Sequence, residues 1–413
     1  MPGSAASVVA VLGGRPGRWL GPACRGAVLL LGMLGGGPVH AEARRPTNDA
    51  EVLEFLPNSG LERRELRAGR EALRIHPERR ELALALARRY IELGRADADP
   101  RYYGHAEAVL TPWLVPPSTD PEALVLRATV LQNRHDFSSA LADLDAALRR
   151  NPRLGQAWLT RAAILEAQGD YPAALRACLA LDRFATALAS AVCVNSAMSL
   201  LGQARSAYER LGPLVAEAQG DPDELLWARL VLAELAERLG LWAEAESWYR
   251  AALASGRRNL YLLATYADFL LDRDRSSEVV ALLENETRAD PLLLRLALAE
   301  QRLRHPRHPR HAEHAAVLAA RFAASRARGD TSHQGDESRY ALRIAGDARH
   351  ALELAQANWA AQREPRDARL LLEAARAAGR TDAARPVLEF IARTRLEDAR
   401  LQALLVPPGG QRS

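Results

Sequence analysis

Apolar and small residues between Pro121 and Pro291 fall at helical spacing, with polar turns between the runs. Leu124, Ala128 and Leu131 mark one helix, and Ala140, Leu144 and Ala147 mark the next. Asp136-Phe137 separates the two, and Asn151-Pro152 closes the pair. The next stretch repeats the arrangement: Trp158, Ala162 and Leu165, a Gly169-Asp170-Tyr171 turn, then Ala174, Cys178 and Leu181. Small residues recur 34 positions apart at Ala128, Ala162 and Ser196, and again at Ala233 and Ala267 after a slip of three. A second ladder runs out of phase, from Ala140 to Ala174 and from Ala245 to Val279. A fixed period of this length predicts stacked helical hairpins, none of which buries its apolar face alone.

Each slot has a physical reason. The small residues sit where two helices cross most closely, so a larger side chain would wedge them apart. Large residues at helical spacing fill the seam. Glycine ends the first helix by accepting a left-handed backbone, and proline ends the second.

These motifs resemble the tetratricopeptide repeat family, as found in exported bacterial members. The resemblance implies an all-α fold, a right-handed superhelical solenoid of antiparallel helix pairs. Good units run over Leu226 to Gly256 and Leu260 to Pro291, whereas Leu188 to Gly220 is degenerate. Arg79 to Pro116 carries an insertion at Asp97 to Tyr102. The expected organisation is a signal segment over 1–41, a linker and capping helix over 42–77, and repeats over 78–300. A His/Arg-rich insertion and loop follows over 301–335, further repeats over 336–405, and a disordered tail over 406–413. In the last block, Gly346-Asp347, Ala351 and Ala355 resemble half a unit, and Gly379, Ala384, Leu388 and Ile391 another.

In this family the first helix of each unit lines a concave face where partner peptides lie. By position, that face would carry Gln132, Leu159, Trp227, Leu230, Glu234, Glu237, Tyr261 and Asp268, with Glu166 among their neighbours. Members that clamp a terminal carboxylate use Lys and Asn there. Thr129, Ala163, Glu234 and Asp268 stand in those slots instead. The acidic later half, with two aromatics, favours a basic or mixed apolar peptide.

Composition narrows the chemistry. All 55 basic residues are arginine, so phosphate-loop and Schiff-base reactions that need lysine are excluded. The net charge is +4, and arginines alternate with acids as on solvated helix faces, which argues against nucleic acid as a partner. No cofactor is expected. Arg15, Arg18 and Arg25 precede an apolar stretch, Gly26 to Leu34, and small residues lead to Val39-His40-Ala41. This pattern predicts a cleaved export signal ending near Ala41 and a periplasmic or secreted mature chain without a transmembrane segment.

Cys178 and Cys193 are symmetric about the Ala185–Thr186 junction, where one unit should turn into the next. Antiparallel helices joined there would bring the thiols face to face, and an oxidising compartment would favour a disulfide. Two buried free thiols are the alternative. His305, His308, His311 and His314 recur every three residues. A polyproline II segment would align the first three for nickel, copper or zinc, against a solvated basic loop as the simpler reading. No Gly-x-Ser-x-Gly, His-Glu-x-x-His or phosphate-loop motif occurs. The expectation is a non-enzymatic protein-binding scaffold of envelope assembly or secretion. The alternative is a metal-handling accessory protein built on the histidine segment.

Overall fold

The computed structural model describes residues 61–96, 98–116, 119–303 and 310–405. The export signal, most of the linker, His305, His308 and the tail lie outside these residues. Among the described residues there is no strand, and twenty α-helices follow one another. The amphipathic cap is α1, Leu61–Ile75. Nine hairpins come next. They are α2/α3 (Arg80–Ala96, Arg101–Leu110), α4/α5 (Pro121–Asn133, Phe137–Arg150) and α6/α7 (Gly155–Ala167, Tyr171–Leu181). Then come α8/α9 (Ala187–Ser199, Ala204–Glu217), α10/α11 (Pro222–Arg238, Trp242–Leu253) and α12/α13 (Leu260–Asp272, Ser276–Leu283). The last are α14/α15 (Asp290–Leu303, Arg310–Ala327), α16/α17 (Gln334–Tyr340, Ala348–Ala361) and α18/α19 (Pro365–Ala377, Arg385–Thr394). A final short helix is α20, Ala399–Leu405.

The described chain is thus an all-α repeat solenoid of antiparallel helix pairs. Both small-residue ladders are internal: Ala128, Ala233, Ala267, Ala140, Ala174, Ala245 and Val279 are all fully buried. Helix starts are set by side-chain caps. Asp120, Asp136, Asp170, Thr186, Asp221, Asn259 and Asp347 each accept a hydrogen bond from a free backbone N–H of the first turn. Gly169, Gly202 and Gly240 take positive φ just after α6, α8 and α10, as the turn slot requires. His135 and Asp274 hold the same left-handed conformation after α4 and α12. Within a hairpin, Arg127 on α4 makes a two-pronged ion pair with Asp143 on α5 at 2.7 Å.

Three expectations need correction. Proline more often opens a helix than closes one: Pro121, Pro222 and Pro365 occupy first-turn positions, where the missing N–H costs nothing. Residues 310–327 of the expected insertion and loop form α15, because His314, Leu318, Phe322 and Ser325 present one buried face to α14. In α19 the inward face is Val387, Phe390 and Ile391, while Leu388 points to solvent.

The stack curls until its last repeats meet its early ones. The N–H of Arg363 donates to the carbonyl of Ala167 at 2.8 Å, and the Tyr171 hydroxyl donates to the carbonyl of Arg363 at 2.8 Å. Phe390 packs edge-on against Tyr171, with ring centroids 5.5 Å apart. The N–H of Ala204 donates to Glu397 at 3.1 Å, and α20 packs on α10. The concave side of the middle repeats therefore faces the chain's own last helices.

Candidate functional site

The site is a cavity of about 250 Å³ between that concave side and the segment Ser332–Leu401. First helices α6, α8, α10, α12 and α14 supply one wall; α16, α18 and α20 supply much of the other. The first-helix face reaches inward because the opposite side of each first helix packs on the second helix of its own hairpin. Charged residues at positions four or so past the small slot, such as Glu166 after Ala162, are then carried onto the concave wall.

Four of the eight expected groove residues meet here: Glu234, Glu237, Tyr261 and Asp268. Each is engaged internally. The Tyr261 hydroxyl donates to Glu234. Glu237 accepts from the Tyr249 hydroxyl at 2.5 Å and from Arg400 at 2.8 Å. Asp268 accepts from Arg295 at 2.6 Å and from Arg339 at 2.5 Å. Burial alone would raise the Asp268 carboxyl, but these two guanidiniums override it and hold it down to about 2. The other four are not at the cavity. Leu159, Trp227 and Leu230 belong to the main core, and Gln132 is buried on α4. The indole N–H of Trp227 is buried without a hydrogen-bond partner.

Several lining groups were not singled out by the sequence. Arg369 makes a two-pronged pair with Asp272 at 2.5 and 2.8 Å. Arg366 donates to Glu364 at 2.5 Å, and Glu364 with Asp367 forms a capping box at the start of α18. Burial pushes the Glu364 carboxyl up to about 8 and Glu166 likewise to about 8. Burial also lowers His135 to about 4, so the imidazole that meets the Gln362 amide at 3.1 Å is neutral at pH 7. The capping box before α18 was readable as Glu364-Pro365-Arg366-Asp367; its placement against residues some 200 positions earlier was not.

Cys178 and Cys193 face each other across the α7/α8 junction with Cα atoms 5.4 Å apart, a separation that a disulfide spans. Of the histidine run, His311 and His314 are described. The Nδ1 of His311 lies 3.1 Å from the Ala297 carbonyl, and that of His314 lies 2.9 Å from Glu300. Both rings thus pin α15 to α14. Among the described residues no group of three or more His, Cys, Asp or Glu stands close enough to hold a metal ion. None of the described helices is long and apolar enough to cross a membrane.

The repeated hairpins define the class as a tetratricopeptide-like helical repeat protein. No known family model and no curated protein matches the chain. Among solved structures, it is similar to TTC0263, a thermophilic TPR protein of Thermus thermophilus. That match has 22% identity and a TM-score of 0.36, over 51% of this chain and 99% of that one. Similarity to the APC/C hetero-tetramer Cut9–Hcn1 has 14% identity and a TM-score of 0.40, over 76% of this chain and 52% of that one. A human IFIT1 dimer with m7Gppp-AAAA gives 13% identity and a TM-score of 0.38, over 83% and 87% of the two chains.

Proposed function

We propose that the protein is an exported, non-enzymatic interaction scaffold whose concave face takes an arginine-bearing helical segment of a partner in envelope assembly or secretion. One observation carries the reading. The concave carboxylates Asp268, Asp272 and Glu237 each accept a guanidinium from a different late helix, namely Arg339 on α16, Arg369 on α18 and Arg400 on α20. The face already binds helices that present arginine; in this state they are its own. A partner helix with the same presentation competes for the same carboxylates, and charge complementarity gives the selectivity. The export reading rests on the Arg15-to-Ala41 pattern, and with it goes a Cys178–Cys193 disulfide in the oxidising compartment.

The test compares full-length protein with the triple variant Arg339→Glu/Arg369→Glu/Arg400→Glu. A labelled peptide spanning residues 363–405 is titrated into each, with binding read by fluorescence anisotropy. The variant, its face vacated, should bind the peptide, and the parent chain should not. A charge-reversed peptide should bind neither. Absence of binding to a variant that small-angle scattering shows to be open would refute the reading.

A further inference from the structure

The acidic and basic groups lining the cavity that closure creates are unequally partnered, at a specific location. Its lining includes ten carboxylates and eight guanidiniums. Every one of those guanidiniums has a carboxylate within 4 Å, including Arg238 with Glu234 at 3.6 Å and Arg302 with Asp274 at 3.6 Å. Two of the ten carboxylates have no guanidinium within that distance. Asp367 is one, and it is satisfied as a cap, accepting from the Asn358 amide at 2.9 Å and the Glu364 N–H at 3.0 Å. Glu166 is the other. Its side chain lies in the wall, is 9% exposed, and has only the Ser196 hydroxyl, at a long 3.5 Å.

We propose that this cavity is a binding site for a small organic cation, an amine or guanidine compound, with Glu166 as its anionic anchor. An anion is disfavoured because no guanidinium in the wall is free to receive it. A bare metal ion is disfavoured because, among the described residues, no three ligands converge. Its volume suits a small ligand: about 250 Å³ falls below the roughly 300–1,000 Å³ of pockets for drug-sized ligands. Around Glu166 the charged and titratable groups are Glu234 and Arg238 on α10, Tyr171 on α7 and Glu364 before α18. Burial keeps Glu166 protonated at neutral pH, pushed up to about 8. Uptake of a cation then ionises the carboxyl and releases its proton to solvent.

This site exists only in the closed form on which the proposed function rests, so the experiment separates the two. Small-angle scattering first establishes whether full-length protein is closed. Isothermal titration at pH 7 then uses agmatine and n-butylammonium as probes, with succinate as the anionic control. Saturable binding of both cations, and none of succinate, is expected, with at least a tenfold loss in Glu166→Gln. For the parent chain, heats in phosphate and Tris should differ by the buffers' ionisation enthalpies, which reads proton release without any variant. A closed chain that binds neither cation, or that gives equal heats in both buffers, overturns the cavity proposal alone. Equal affinity in a folded Glu166→Gln does the same. Scattering from an open chain overturns both readings.

Discussion

Single residues carry the sharpest electrostatic consequences. Glu166 has a folded-state pKa of about 8 against an ordinary 4.5, because burial disfavours its charge more than Arg238 favours it. Between those values the folded chain holds a proton that the unfolded chain has lost. Stability from this group therefore falls as pH rises from about 4.5 to 8. In Glu166→Gln the penalty disappears, so variant and parent should melt together near pH 5 and diverge toward pH 9, the variant higher. Each kcal/mol regained is worth about 1–2 °C for a chain of this length. Thermal melts followed by circular dichroism at the two pH values check it, and a difference that stays flat with pH would mean that a counter-ion pairs with the Glu166 carboxylate. The cysteine pair gives a second residue-scale outcome. Closing a 15-residue loop contributes roughly 3 kcal/mol, so Cys178→Ser/Cys193→Ser should melt well below the oxidised parent. Adding reductant should bring the parent down toward the variant, and an unreduced parent whose mass does not change on reduction would dismiss the bridge.

At the scale of elements, small residues and glycine turns decide the packing. Ala233 is fully buried where α10 crosses its partner, so Ala233→Leu should destabilise by about 1–3 kcal/mol through overpacking. Leu214→Ser, on the exposed side of α9, should stay within about 0.5 kcal/mol in the same denaturant titration. Gly169 is more constrained than either. Its φ is +77°, and a Cβ there would come within 2.8 Å of the Phe390 ring. Gly169→Ala strains the turn by about 1–2 kcal/mol and also pushes on α19, so amide protection should fall over residues 385–394 in hydrogen exchange. These slots were legible beforehand, because a close helix crossing restricts one position per unit and the 34-residue period records that restriction. Elements off the period were harder to read. The prolines and histidines before Arg310 obscured α15, although Leu318 and Phe322 are core residues at helical spacing. In α19 the spacing predicts Leu388 for the inward slot that Val387 fills.

The whole molecule adds what no local pattern holds. Four of the eight expected groove positions line one cavity, but what faces them depends on the summed rotation of nine hairpins, which brings Arg363 to Ala167 and Arg400 to Glu237. Small errors in each crossing angle accumulate over that path, so the closure was not readable from spacing. Its energetics are those of partly buried ion pairs. Removing one partner leaves an uncompensated buried carboxylate, which costs about 3–5 kcal/mol, far more than the same change on a solvated face. Arg369→Glu places a carboxylate against both Asp272 and Glu373, its present partners at 2.5–2.8 Å. Repulsion there should detach α18 while leaving the hairpins α2 to α13 stacked, since their cores lie mostly in other clusters. The radius of gyration should rise, and trypsin should cut first within 334–405, at arginines that closure now shields. Asp272→Arg in the same chain restores opposite charges with the polarity exchanged. That double variant should regain the parent's scattering profile and protease resistance, an outcome that mere misfolding of Arg369→Glu would not produce. Should the single variant scatter like the parent, the ion pairs are incidental, and apolar contact of Phe390 with Tyr171 holds the molecule shut.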